Sequence, residues 1–196
     1  MARISYKLPQ DLTDAECREW LEFAIEKGKP GPEFQSIRSR VPGVMRSFTK
    51  TREWIYHNGV LDFELKELLR AYIALSGECS YCSGQGVAGA IAADSDKLDS
   101  LLDYENSDEY TDRQKLCFRY ADAIMWNPDL ADDAMWEQLR AEFTEEELVE
   151  LGYWIGFTYG GQRWLRTLGS TKGQLQDAID LAGASTVVAG HDPHSD

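Results

Sequence analysis

The stretch ELKELLRAYIALSGECSYCSGQG, residues 64–86, decides the fold. Leu65, Leu68, Leu69, Tyr72 and Ile73 recur at helical spacing and form one apolar stripe. Gly77 ends that helix, and ECSYC opens the next. Cys79 and Cys82 fall in the first turn of the second helix, on one face and within disulfide reach. The free N–H groups and positive dipole end of such a turn favour a thiolate.

Working outward, the same helical signals repeat. Thr13 to Glu16, Thr111 to Gln114 and Thr144 to Glu147 fit the capping box, each ahead of a segment with helical apolar spacing. Gly28, Gly59 and Gly169 stand where helices should stop. Helices are expected over 11–27, 43–58, 62–76, 79–93, 112–126, 131–142, 145–168 and 172–182. GKPGPEF reads as a loop between the first two. No segment alternates with period two, so strands are not expected. The expectation is an all-α, single-domain helical fold: an N-terminal helical extension over 1–40, a helical domain over 41–182 and a polar tail over 183–196.

The totals narrow the function. The chain has 196 residues and a net charge of −14. That balance argues against nucleic acid and anionic membrane surfaces as partners, because both need basic patches. No apolar run reaches the ~20 residues of a membrane span, and the N-terminal residues lack the apolar core of a signal peptide, so a cytoplasmic protein is expected. Of four cysteines, Cys17 and Cys117 stand alone and read as small buried or half-buried hydrophobes. His191 and His194 sit in the tail and read as solvated. A structural zinc site wants four ligands, usually as two pairs, and the sequence offers one pair. No metal and no cofactor are expected.

On its own terms the Cys-x-x-Cys pair has three readings: a dithiol/disulfide centre, a metal half-site, or two inert cysteines. The first explains the helix-start placement best. In an antiparallel pair, positions 67 and 86 come level, and Cys82 lies one turn from 86, so a carboxylate at 67 could act on the cysteine through whatever occupies 86. From sequence alone the favoured reading of Glu67 is a solvated charge beside Glu64 and Lys66.

These residues resemble the carboxymuconolactone decarboxylase-like family in its alkylhydroperoxidase D branch. That family's pattern is Glu, eleven residues, Cys-x-x-Cys, three residues, His. Glu67, Cys79 and Cys82 keep the register. Tyr81 agrees with it, and the likeness extends over roughly residues 40 to 170. The resemblance implies an all-α fold that assembles into homo-oligomers. It also implies that Cys82 attacks a peroxide, Cys79 resolves the sulfenic acid into a disulfide, Glu67 starts the proton relay, and a thiol or protein reductant regenerates the dithiol. Organic hydroperoxides or disulfides are the implied substrates.

The family's histidine falls at Gly86, which has no side chain to carry a proton. A water, Gln85 or Tyr81, or His57 from the preceding helix are the candidates to replace it. The last long helix holds Trp154, Phe157, Tyr159 and Trp164, with Arg163 among them. A packed core and oligomer interface is the favoured reading there, and an apolar substrate pocket with Arg163 holding an anion is the functional one. Two alternatives stand behind the oxidoreductase: a lyase acting on a small lactone or carboxylate, and a non-catalytic helical oligomer.

Overall fold

The computed structural model of the chain describes residues 2–84 and 98–189, with side chains to residue 182. Among the described residues there is no strand, as expected for an all-α chain. The helices are α1 (Ala15–Lys27), α2 (Pro32–Arg38), α3 (Pro42–Thr51), a π-helical turn (Arg52–His57), α4 (Phe63–Ser76) and α5 (Ser80–Ser83). They continue with α6 (Asp112–Trp126), α7 (Asp133–Glu142), α8 (Glu145–Leu168) and α9 (Gln174–Ala189). No described helix is long and apolar enough to cross a membrane.

The chain divides into two compact units, Met1–Phe48 with Leu168–Asp196, and Thr49–Thr167. The first packs around Leu12, Cys17, Leu21, Met45 and Leu175. The second has a larger core in which Leu65, Leu68, Leu69 and Ile73 of α4 meet Leu116 and Phe118 of α6 and Leu151 and Trp154 of α8. The α4 stripe is therefore buried as its spacing requires.

Local chemistry fixes the helix starts. Thr111 accepts from the Gln114 N–H at 3.2 Å, while the Gln114 side chain accepts from the Thr111 N–H at 3.0 Å. Thr144 and Glu147 make the same reciprocal pair at 3.2 and 2.8 Å. At α1 the cap is Asp14, one residue later than the expected Thr13: its carboxylate accepts from the Cys17 N–H. Replacing Thr111 with alanine is expected to lower stability by about 1 kcal/mol, read as a shift in the urea midpoint at unchanged slope.

Two expectations change. GKPGPEF is not simply a loop, because α2 begins inside it, with Gly31 at the N-cap and Pro32 at the first helical position. All six residues from Glu33 to Arg38 are buried. Four of them are polar and find partners rather than solvent: Ser36 Oγ donates to Lys7 O at 2.7 Å, Arg38 donates to Gln35 Oε1 at 3.0 Å, and Glu33 accepts from the Gly173 N–H at 2.7 Å. A helix buried all round by hydrogen-bonded polar groups leaves no apolar periodicity. At the other end, α9 runs to Ala189, past the expected stop at 182, and takes the first residues of the supposed tail with it. His191 and His194 lie outside the described residues.

Candidate functional site

The turn from α4 into α5 builds the cysteine pair. Gly77 is the C-cap, but its own φ is −79°, and it is Glu78 that takes the left-handed conformation, at φ 51°. The Glu78 N–H donates to Leu75 O and the Cys79 N–H to Ala74 O, at 3.0 and 2.9 Å. This is the Schellman arrangement, and its usual apolar contact is present as Cys79 against Ala74. Glycine is needed at 77 for space: a Cβ there would lie 2.9 Å from Ile73 O. The turn delivers Cys79 to the N-cap of α5 and Cys82 one turn on. The two are joined as a disulfide, buried with Ala74 and Leu165. Gln85 and Gly86 lie outside the described residues.

Glu67 is 2% exposed, so the solvated-charge reading is wrong. The α4 register turns it inward, and three donors hold it. Arg70 donates from Nε to Oε2 at 2.7 Å and from a terminal nitrogen to Oε1 at 2.9 Å. The Tyr56 hydroxyl donates to Oε2. Arg70 also donates to the carbonyl of Cys82 at 3.2 Å. Glu67 and the cysteine turn are thus connected through a guanidinium.

The π-helical turn supplies the rest. It places the Arg52 guanidinium 4.5 Å from the Tyr56 ring centroid, and Tyr56 stacks on Trp154 of α8 at 4.9 Å. Burial, then the Glu67 charge, pushes the Tyr56 hydroxyl far above its ordinary pKa, so it stays a donor. Burial pulls the pKa of Arg52 down. At Arg70 burial is the largest influence and pulls the same way, but the bonds and charge of Glu67 outweigh it and the pKa rises.

Helix α8 runs beside α4 in the same direction, as three contacts record. Trp154 Nε1 donates to Lys66 O at 2.9 Å, Gln162 Nε2 to Arg70 O at 3.2 Å, and Arg166 to Gly77 O at 2.9 Å. Two buried polar atoms on this helix, Thr158 Oγ1 and Gln162 Oε1, have no hydrogen-bond partner. Gln162 lies one turn before Leu165, which covers the disulfide.

Of the sequence candidates, the fold therefore gathers Glu67, Cys79 and Cys82. Tyr81 is half-buried in α5 between the cysteines. His57 is exposed and stacks on Phe63, its pKa lowered by partial burial and then by Arg52 and Lys66. Arg163 is exposed and lies over Trp126 and Tyr159. Trp154 is core, whereas Trp164 is 38% exposed. Sequence reasoning missed Tyr56, Arg52, Arg70 and Gln162. The one available signal was Arg70, three residues after Glu67 on the same helix face. The other two thiols are buried: burial raises Cys17 to about 11 and Cys117 to about 12, so neither is a thiolate at neutral pH.

No family model matches the chain. An uncharacterised protein of Escherichia coli K12, YnjA, is 33% identical over 99 residues, 49% of this chain. Those residues are 54% of the relative, so the chain spans about half the length of the curated protein it matches. Among solved structures, an uncharacterised peroxidase-related protein from Ralstonia eutropha JMP134, described as an alkylhydroperoxidase AhpD core, superposes with a TM-score of 0.69 at 19% identity. The superposition covers 87% of this chain and 92% of that one. A peroxidase-related protein from Silicibacter sp. TM1040 gives 0.66 at 18% identity, over 87% and 94% of the two chains. The fold is the all-α fold of the alkylhydroperoxidase D core.

Proposed function

We propose that the protein is a cysteine-based oxidoreductase that reduces organic hydroperoxides through Cys82 and Cys79. The observation that carries this reading is the buried Cys79–Cys82 disulfide set against the Glu67–Arg70 pair. In the first step the Cys82 thiolate attacks the distal peroxide oxygen. The O–O bond breaks, Cys82 becomes a sulfenic acid, and the alkoxide leaves and takes a proton as the alcohol. In the second, the Cys79 thiol attacks the Cys82 sulfur, the disulfide forms and water leaves. Two equivalents of thiol, or one dithiol protein of the cytoplasm, then reduce the disulfide. Glu67 is the buried carboxylate of the site, and Gln162 Oε1, an acceptor without a partner, suits the O–H of a neutral hydroperoxide. The protein works as a homo-oligomer in this reading.

Stopped-flow oxidation of the reduced protein by an organic hydroperoxide tests it. Trp154 stacks on Tyr56, which bonds to Glu67, so tryptophan fluorescence should follow the site. The expected result is fast oxidation, far above that of a free thiol, ending in a Cys79–Cys82 disulfide found by peptide mass spectrometry. Oxidation at the free-thiol rate would end the peroxidase reading.

A further inference from the structure

We infer that Arg70 is the positioning residue that sets the reactivity of Cys82, acting by charge rather than by carrying a proton. The inference rests on the dithiol reading above and assigns the control of that site. Arg70 is the side chain that touches both Glu67 and the Cys82 turn: two nitrogens hold the carboxylate at 2.7 and 2.9 Å, and the remaining one holds the Cys82 carbonyl at 3.2 Å. A guanidinium does not lose its proton in proteins, so this connection cannot relay one. It can place a fixed positive charge within one residue's length of the Cys82 sulfur, which stabilises the thiolate over the thiol. At that range, in a partly buried site, a unit charge moves a thiol by on the order of one pKa unit.

Glu67 then has a defined task. It pins Arg70 by two bonds and fixes its direction, and Tyr56 donates to the same Oε2 that Arg70 Nε holds. It also offsets part of the guanidinium charge. Other charges approach from neighbouring elements. Glu78 in the connecting turn is paired with Arg166 of α8 at 2.9 Å, and Arg52 lies beyond Glu67 over Tyr56. None of these contacts reaches the Cys82 backbone as the Arg70 contact does.

The test is the pH profile of iodoacetamide alkylation at Cys82, followed at its own peptide by mass spectrometry in reduced Cys79→Ser protein. The apparent pKa does not depend on access and needs no peroxide, so it fails or survives separately from the peroxidase reaction. Arg70→Gln is expected to raise the Cys82 pKa by about one unit and slow alkylation at pH 7 about tenfold. Arg70→Lys, which keeps the charge, should recover most of that loss. Glu67→Gln should lower the Cys82 pKa, because it removes the opposing charge. An unchanged pKa in Arg70→Gln would overturn the inference. So would equal impairment in Arg70→Lys and Arg70→Gln, which would make the role purely structural, or a raised pKa in Glu67→Gln, which would make the carboxylate the activating group.

Discussion

Cys82→Ser is expected to abolish peroxide-driven oxidation, lowering the second-order rate on the order of 10³-fold or more, because a serine hydroxyl offers no comparable anion at neutral pH. The roles of the two cysteines predict different products. With Cys82 gone, Cys79 should remain a thiol after a peroxide pulse. With Cys79 replaced by serine, Cys82 should still react once and stop as a sulfenic acid, which a carbon nucleophile such as dimedone would trap. Cys17 and Cys117 add no background, since both are buried with raised pKa values. The fold should tolerate either change: closing so short a loop is worth only ~2 kcal/mol in the chain-entropy account, and the second unit keeps its large core. Trapped sulfenic acid at Cys79 in the Cys82→Ser protein would reverse the two roles. Undiminished oxidation in that protein would remove the cysteine mechanism altogether.

The sequence carried the helices that bury one face and missed the features that depend on contact across the fold. Leu65, Leu68, Leu69 and Ile73 announced α4 because their stripe is apolar and its neighbours are not. Helix α2 was invisible because its polar residues are satisfied inside the fold, Ser36 and Glu33 by Lys7 and Gly173, far away in sequence, and Arg38 by Gln35 within the helix. Gly77 was correctly placed at the end of α4, yet the left-handed residue is Glu78, a choice that local glycine preference does not predict. Apart from the family resemblance, Glu67 looked like one charge among several, and its burial shows only in the inward register of α4 and the donors Tyr56 and Arg70. Tyr56 reaches it from a π-helical turn, a change of helical register that no apolar period encodes. The cysteine spacing was legible because Cys-x-x-Cys acts within a single turn. The Arg70 contact was not, because Arg70 reaches Cys82 through the backbone carbonyl, which no residue pattern marks.

Glu150→Ala is expected to cost about 3–5 kcal/mol, the largest stability effect in the second unit, through loss of the polar clamp that holds the lead into α4. Glu150 is 7% exposed and Lys66 1%. Glu150 accepts from Lys66 Nζ at 2.8 Å and from the N–H groups of Val60 and Leu61 at 2.5 and 3.2 Å, while Lys66 Nζ also donates to Ile55 O at 2.5 Å. Truncating the carboxylate strands a buried ammonium and two backbone donors at once. Domain stabilities are only ~5–15 kcal/mol in total, so a loss of this size should move the urea midpoint by more than about 1 M or leave the chain partly unfolded. Gly59→Ala reaches the same clamp from the other side, because a Cβ at Gly59 would fall 2.2 Å from Glu150 Oε1. If both act through the one carboxylate, they cannot add. The double variant should lose little more than Glu150→Ala alone, since alanine at 59 fits once the carboxylate is gone. Glu150→Gln keeps an acceptor for the backbone N–H groups and should fall between wild type and Glu150→Ala. Full additivity in the double variant would mean that Gly59 is needed for its backbone and not for the space it leaves to Glu150.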